Sequence, residues 1–230
     1  MILKGLQKTT LIDYPGHIAC TVFTYPCNFR CHYCHNPELA IAELEEGTAI
    51  SESEFFKFLS SRKKLLEGVC ITGGEPTLHH DLLAFIKKIK KLGFKVKLDT
   101  NGSNPDTLDK LIKNKLLDYV AMDIKNAYNY YADTVNSEVD LEKISESIKM
   151  LLAGNIDYEL RTTVVPGLHN NERMEAMGEW ISGARLYVIQ NFRKGKTLNP
   201  DYQDKESFTD EEIDAFKKIM EKHVEKVQIR

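Results

Sequence analysis

Six short runs rich in β-branched and aromatic residues alternate along this chain with six amphipathic segments, and that alternation constrains the fold more than any other feature. The runs cover 18–24, 69–72, 94–98, 119–122, 158–165 and 186–189. A strand followed by a helix, repeated, is the mark of a parallel sheet. The segments between carry helix start and stop signals. Ser51 and Glu54 form a capping box ahead of Phe55, Phe58 and Leu59, and Thr209 with Glu212 repeats it ahead of Ile213 and Phe216. Asn104 followed by Pro105 opens a helix carrying Leu108, Leu111 and Ile112. Leu82, Phe85, Ile86, Ile89 and Leu92 keep helical period and stop at Gly93. Leu141, Ile144, Ile148 and Leu151 end the same way at Gly154, and Met174, Met177, Trp180 and Ile181 at Gly183.

Six βα units can curl into an open, partial barrel or lie flat as a doubly wound sheet, and periodicity does not choose between them. No repeat, low-complexity tract or Pro/Gly linker divides the 230 residues. The expectation is one α/β domain over 1–230, with an N-terminal extension over 1–16 and a polar connection and helix over 194–230. Lys and Arg number 31 against 34 Asp and Glu, so no basic field exists for a nucleic-acid backbone. The longest apolar runs, such as 18–23, fall well short of the roughly 20 residues that cross a bilayer. Residues 1–5 lack the basic flank and apolar core of a secretory signal, so the cytoplasm is the expected compartment.

In either architecture ligands bind beyond the carboxyl ends of the strands. After the first run come Cys27, Cys31 and Cys34, spaced CxxxCxxC. Three thiolates can hold three irons of a 4Fe–4S cluster and leave the fourth open. A zinc site with His32 or His35 as fourth ligand is the alternative, though such sites usually pair two distant ligand sets. Cys20 and Cys70 fall inside apolar strands and read as core residues. The second run is followed by Gly73-Gly74-Glu75-Pro76 and the third by Asp99-Thr100-Asn101-Gly102; alone, each reads as a turn. Asp123 and Lys125 follow the fourth run and share a face by period two. Arg161 and Thr163 lie on the fifth, and the sixth ends in Gln190-Asn191-Phe192-Arg193. Polar or cysteine-rich signatures at every strand end point to one convergent site.

At these residues the chain resembles the radical S-adenosylmethionine (SAM) superfamily. CxxxCxxC with Tyr33 before the last cysteine matches its cluster loop, and Gly73-Gly74-Glu75-Pro76 matches its methionine-binding motif. More narrowly, residues 8–16, Cys27-Asn28-Phe29-Arg30-Cys31, Cys34-His35-Asn36-Pro37 and Gln190-Asn191-Phe192-Arg193 are similar to the activating proteins of glycyl-radical enzymes. The branch serving anaerobic ribonucleoside-triphosphate reductase is most similar, and pyruvate formate-lyase activators are its cousins.

The resemblance implies an open (β/α)6 barrel of the TIM-like type and a 4Fe–4S cluster on Cys27, Cys31 and Cys34. SAM would chelate the open iron. Tyr33 and His35 would line the adenosine end, and Gly73, Gly74 and Glu75 would hold the methionine amino group. Asp99, Thr100, Asn101, Asp123, Lys125, Arg161 and Gln190 would contact the rest of the cofactor. In the pyruvate formate-lyase branch, aspartates at positions like Asp99 and Asp123 bind a monovalent cation, which stays open here. The implied chemistry is reductive cleavage of the sulfonium and hydrogen abstraction by a 5′-deoxyadenosyl radical. The implied partners are a glycyl-radical enzyme and an electron donor such as flavodoxin or ferredoxin. A radical enzyme acting on a small molecule or another peptide, or a zinc-binding scaffold, are the alternatives. Two residues depart from the pattern. Pro26 stands where the family usually has glycine, which removes a backbone donor, and Phe192 stands where the pyruvate formate-lyase branch has a histidine after its sixth strand, so adenosine recognition there is expected to differ.

Overall fold

The computed structural model describes residues 1–40 and 49–230. Its centre is a single sheet of eight strands: β1 (Leu3–Thr10), β2 (Ala19–Thr24), β3 (Gly68–Gly73), β4 (Lys95–Thr100), β5 (Tyr119–Asp123), β6 (Asp157–Val164), β7 (Tyr187–Asn191) and β8 (Val227–Ile229). Spatial order follows chain order from β1 to β8, and every pair beyond the antiparallel β1–β2 pair is parallel. A doubly wound sheet reverses its order at a switch point. This one never does, so the units wind one way, with β1 and β8 as its edges. The open, barrel-like sheet expected from the sequence is what forms.

The six predicted runs are β2 to β7. The expected N-terminal extension is largely the strand β1, whose alternation is masked by Gly5, Gln7 and Lys8, and the C-terminal β8 is too short to carry a pattern. The helices are α1 (Glu52–Ser61), α2 (Leu82–Lys91), α3 (Pro105–Lys113), α4 (Tyr131–Val135), α5 (Leu141–Leu152), α6 (Asn171–Trp180) and α7 (Asp210–Met220). Both capping boxes form, Ser51 with Glu54 and Thr209 with Glu212, and Asn104 caps α3 by accepting from Thr107 N. The short α4 lies between β5 and α5, where the sequence carries no helical period.

Register explains how one sheet serves a core and a site. The row Val22–Ile71–Leu98–Val120–Tyr158 runs across five strands on one face and is buried against the helices. Phe85, Ile86 and Ile89 of α2, Leu108 and Leu111 of α3, and Ile144, Ile148 and Leu151 of α5 belong to the same core. Each such side chain contributes about 1.5–3 kcal/mol by leaving water, which stabilises helices too short to persist alone. One residue on, the opposite face carries Lys97, Asp99, Asp123, Glu159 and Arg161. Among the described residues no helix is long and apolar enough to cross a membrane.

Candidate active site

The polar face opens, at the carboxyl ends of the parallel strands, into a cavity of about 280 Å³. Cys27, Cys31, Tyr33, Cys34 and His35 line it from the loop after β2, and Gly73, Gly74 and Glu75 from the turn after β3. Asp99, Thr100 and Asn101 come from the end of β4, Asp123 and Lys125 from β5 and just beyond it, Arg161 from β6 and Gln190 from β7. Every site residue expected from the sequence is therefore brought to one wall, together with Phe29, Asn36, Thr72 and Thr163.

The cysteine loop is held from several sides. Arg30 donates to the carbonyls of Cys27 and Phe29 at 2.7 and 2.9 Å, and Cys34 N donates to Cys31 O at 3.0 Å. Asn101 Nδ2 donates to Asn28 Oδ1 at 2.8 Å, which ties the loop to β4. From the connection after β7, Leu198 N donates to Cys34 O at 3.0 Å and Asn199 N to His32 O at 2.9 Å. His35 donates from Nδ1 to Lys196 O at 3.0 Å and stacks on Phe192 with ring centroids 5.1 Å apart. Phe192 thus supports His35 from a fully buried position. The three thiols are free, and burial pushes Cys27 up to about 12 and Cys31 up to about 11, so both are protonated until a metal takes the proton's place.

The paired glycines serve the chain's own backbone. A Cβ on Gly73 would lie 2.4 Å from Thr24 N, and one on Gly74 would lie 2.3 Å from Pro26 O. Glycine lets β3 end directly against the start of the cysteine loop, where Gly74 N donates to Thr24 O and Glu75 N to Pro26 O at 2.8 and 2.9 Å. The Tyr25–Pro26 peptide is cis. Glu75 is 1% exposed. Its carboxylate accepts from Thr77 N at 3.0 Å, Thr77 Oγ1 at 2.6 Å, Thr100 Oγ1 at 2.7 Å and Asn101 N at 2.7 Å. Burial pushes the Glu75 carboxyl up against the pull of those donors.

Farther along the wall, charges are matched. Lys125 donates to Asp123 Oδ2 at 2.8 Å, and Arg161 bridges Asp123 and Asp99. Burial opposes ionisation of Asp123, but the Arg161 guanidinium and Lys125 ammonium outweigh it and hold its carboxyl well below the usual range. Two contributors were not singled out from sequence. Lys97, 1% exposed, pairs with Asp99; period two along β4 places both on one face, a signal that could have found it. His169 donates from Nε2 to Lys125 O at 3.0 Å while Nδ1 accepts from Val165 N at 2.9 Å. It lies 44 residues from Lys125 in the chain, and no local pattern points to it.

The donor set suits an iron–sulfur cluster: three thiols on one loop line one cavity, and Phe29 N donates to Cys27 Sγ at 3.4 Å, the kind of backbone contact that a thiolate bound to a cluster also accepts. Among the described residues no three His, Cys, Asp or Glu side chains are gathered for a single metal ion. Tyr33, 5% exposed, adds a buried hydroxyl with no hydrogen-bond partner among the described residues, a group that a bound cofactor can satisfy.

Residues 21–179 match the radical SAM superfamily, and the chain belongs to it. The fold agrees: a domain of a pyruvate-formate lyase-activating enzyme from Bacteroides vulgatus superposes with a TM-score of 0.57 at 17% identity, over 71% of this chain and 98% of that one. SuiB of Streptococcus suis, bound to S-adenosylmethionine, superposes with a TM-score of 0.65 at 15% identity, over 89% of this chain and 48% of that one. A Methanocaldococcus jannaschii protein named as a glycyl-radical enzyme activating enzyme is 32% identical over 100% of this chain and 95% of its own length. The pyruvate formate-lyase-activating enzyme of Clostridium pasteurianum is 25% identical over 97% and 95%. Within the superfamily, the chain is a glycyl-radical enzyme activating enzyme, a class that uses a 4Fe–4S cluster and SAM.

Proposed function

We propose that this enzyme installs a glycyl radical on anaerobic ribonucleoside-triphosphate reductase, using an electron from a reduced flavodoxin or ferredoxin in the cytoplasm. The observation that supports an activating function is the convergence of three thiols, the Gly-Gly-Glu turn and the Asp123–Lys125–Arg161 group on one cavity that continues sideways into a second, and the choice of the reductase as partner rests on the resemblance of residues 8–16, 27–31, 34–37 and 190–193. The second cavity, of about 650 Å³, shares His35, Asp99, Arg161, Thr163 and Gln190 with the first. Ile12, from the loop after β1, and Arg230, just after β8, also line it, so it lies between the two sheet edges. A polypeptide can reach the chamber there without threading a closed barrel.

When bound, the cluster and SAM supply one-electron cleavage of the sulfonium and a carbon radical that takes a hydrogen atom from glycine Cα. Cys27, Cys31 and Cys34 would hold the cluster. The turn at Gly73 and Gly74, kept in shape by the buried Glu75, would receive the methionine amino group, with Asp123 and Lys125 meeting the cofactor's charged groups. Tyr33 and His35 would line the adenosine.

The test is anaerobic reconstitution with iron and sulfide, then electron paramagnetic resonance with and without SAM, assayed for 5′-deoxyadenosine. The reconstituted protein is next mixed with anaerobic ribonucleoside-triphosphate reductase or with pyruvate formate-lyase. A glycyl-radical doublet on the reductase is expected. A doublet on pyruvate formate-lyase alone would overturn the partner, and SAM cleavage with no doublet on either would move the substrate to another molecule. In Cys31→Ala, a full complement of iron and sulfide would remove Cys31 from the ligand set.

A further inference from the structure

Asp99 and Asp123 converge at the carboxyl ends of β4 and β5, an arrangement able to bind a monovalent cation. In this chain the place between them is filled. Arg161 donates from Nε to Asp123 Oδ1 and from Nη2 to Asp99 Oδ2, the latter at 3.0 Å. The two outer oxygens are matched as well, Asp99 Oδ1 by Lys97 and Asp123 Oδ2 by Lys125 at 2.8 Å. All four carboxylate oxygens thus meet a cationic donor from the protein itself. The register fixes Arg161 there, because it pairs directly with Asp123 across β5 and β6. Glu159, fully buried on the same face, stands 4.0 Å from Nη1 of Arg161. Both Glu159 oxygens accept from Arg230 at 2.9 and 2.7 Å, so three carboxylates face the four cations Lys97, Lys125, Arg161 and Arg230, and a further cation would bring repulsion and find each carboxylate oxygen already engaged by a cationic donor.

We propose that Arg161 is a built-in cation and that this enzyme, resting on the activating function above, needs no sodium or potassium ion. The guanidinium holds Asp99 and Asp123 at the spacing and charge that a bound ion would otherwise set. As a planar fork it bridges two carboxylates on different strands through donors held at a fixed separation, which an ammonium's single charged centre does not supply. Arg161 is therefore a positioning residue for the cofactor-facing wall.

The experiment uses the reconstituted full chain in sodium, potassium or choline chloride at equal ionic strength. Three quantities are read: SAM affinity by calorimetry, 5′-deoxyadenosine formation with dithionite and no partner, and ²³Na relaxation of the solution. The expected result is values within about twofold across the three salts and no protein-specific ²³Na broadening. A tenfold or larger loss in choline, or saturable ²³Na broadening, would overturn the proposal. Arg161→Ala should lower SAM affinity at least tenfold in choline, with partial recovery in potassium chloride or added guanidinium, while Arg161→Lys recovers little. Indifference of the alanine variant to every cation would also overturn it. If that variant does not fold, the wild-type comparison decides alone. None of these readouts needs the partner, so a wrong reductase assignment shows only as a missing glycyl doublet and leaves this result standing.

Discussion

Asn101 donates its backbone N–H to Glu75 Oε2 at 2.7 Å, so the end of β4 hangs on the turn that follows β3. A buried carboxylate with four donors behaves as a bolt between two strand ends, and replacing one oxygen by an amide turns an acceptor toward donors. Glu75→Gln should cost about 2–3 kcal/mol in urea unfolding and weaken SAM binding at the same time. Unchanged unfolding would mean that the turn is held by its backbone alone.

Gly74 predicts a steric effect separable from backbone strain. Its Cβ would strike Pro26 O, whereas Gly93 has a positive φ of 93° and open space around it. Gly93→Ala should cost about 1 kcal/mol through φ alone. Gly74→Ala should cost about 1–3 kcal/mol and displace the start of the cysteine loop. Iron content after reconstitution should fall in the Gly74 variant and hold in the Gly93 variant.

Lys97 is buried to neutralise Asp99, and Asp99 retains Arg161 if Lys97 is lost. Lys97→Met should therefore cost about 2–3 kcal/mol, less than the 3–5 kcal/mol typical when a buried ion is left alone. Thermal unfolding of this variant beside Arg161→Met, which removes a donor from both aspartates and leaves each with one lysine, should rank the arginine variant as the less stable.

His169 gives stability a pH dependence. Burial lowers it to about 4, against the ordinary 6.5, and its ring is held as the neutral tautomer between Val165 N and Lys125 O. Below 6.5 the unfolded chain gains a proton that the folded chain refuses, so stability is full above pH 6.5 and is lost as pH falls toward 4. The loss from this group reaches about 2 kcal/mol by pH 5. Denaturation midpoints at pH 7 and 5 should differ accordingly, and His169→Gln should remove that share of the slope.

Much of the site was legible because strand ends are local. Each motif sits within a few residues of a recognisable strand, and parallel βα units deliver all their carboxyl ends to one side, so Cys27, Glu75, Asp99, Asp123 and Arg161 could be assembled before their distances were known. Lys97 and His169 were less accessible for a different reason. Period two puts Lys97 on the face of Asp99 but does not show that this face is buried, and the role of His169 depends on Lys125, which meets it in space from 44 residues away. The same limit applies to the glycines: the sequence marked Gly73 and Gly74 as a place of close approach, and only the packing shows the approach to be by Thr24 and Pro26.

Hydrophobic period, capping residues and the cysteine spacing were enough to determine a parallel α/β sheet with a cofactor site at its carboxyl ends, because those signals depend on neighbours a few residues apart. Tertiary structure decided that the strands run in unbroken order without a switch point, that β1 and β8 form the edges of an open sheet, and that Arg161 rather than solvent lies between Asp99 and Asp123. Those outcomes depend on register between strands up to 62 residues apart. Register is a property of which side chains meet in space.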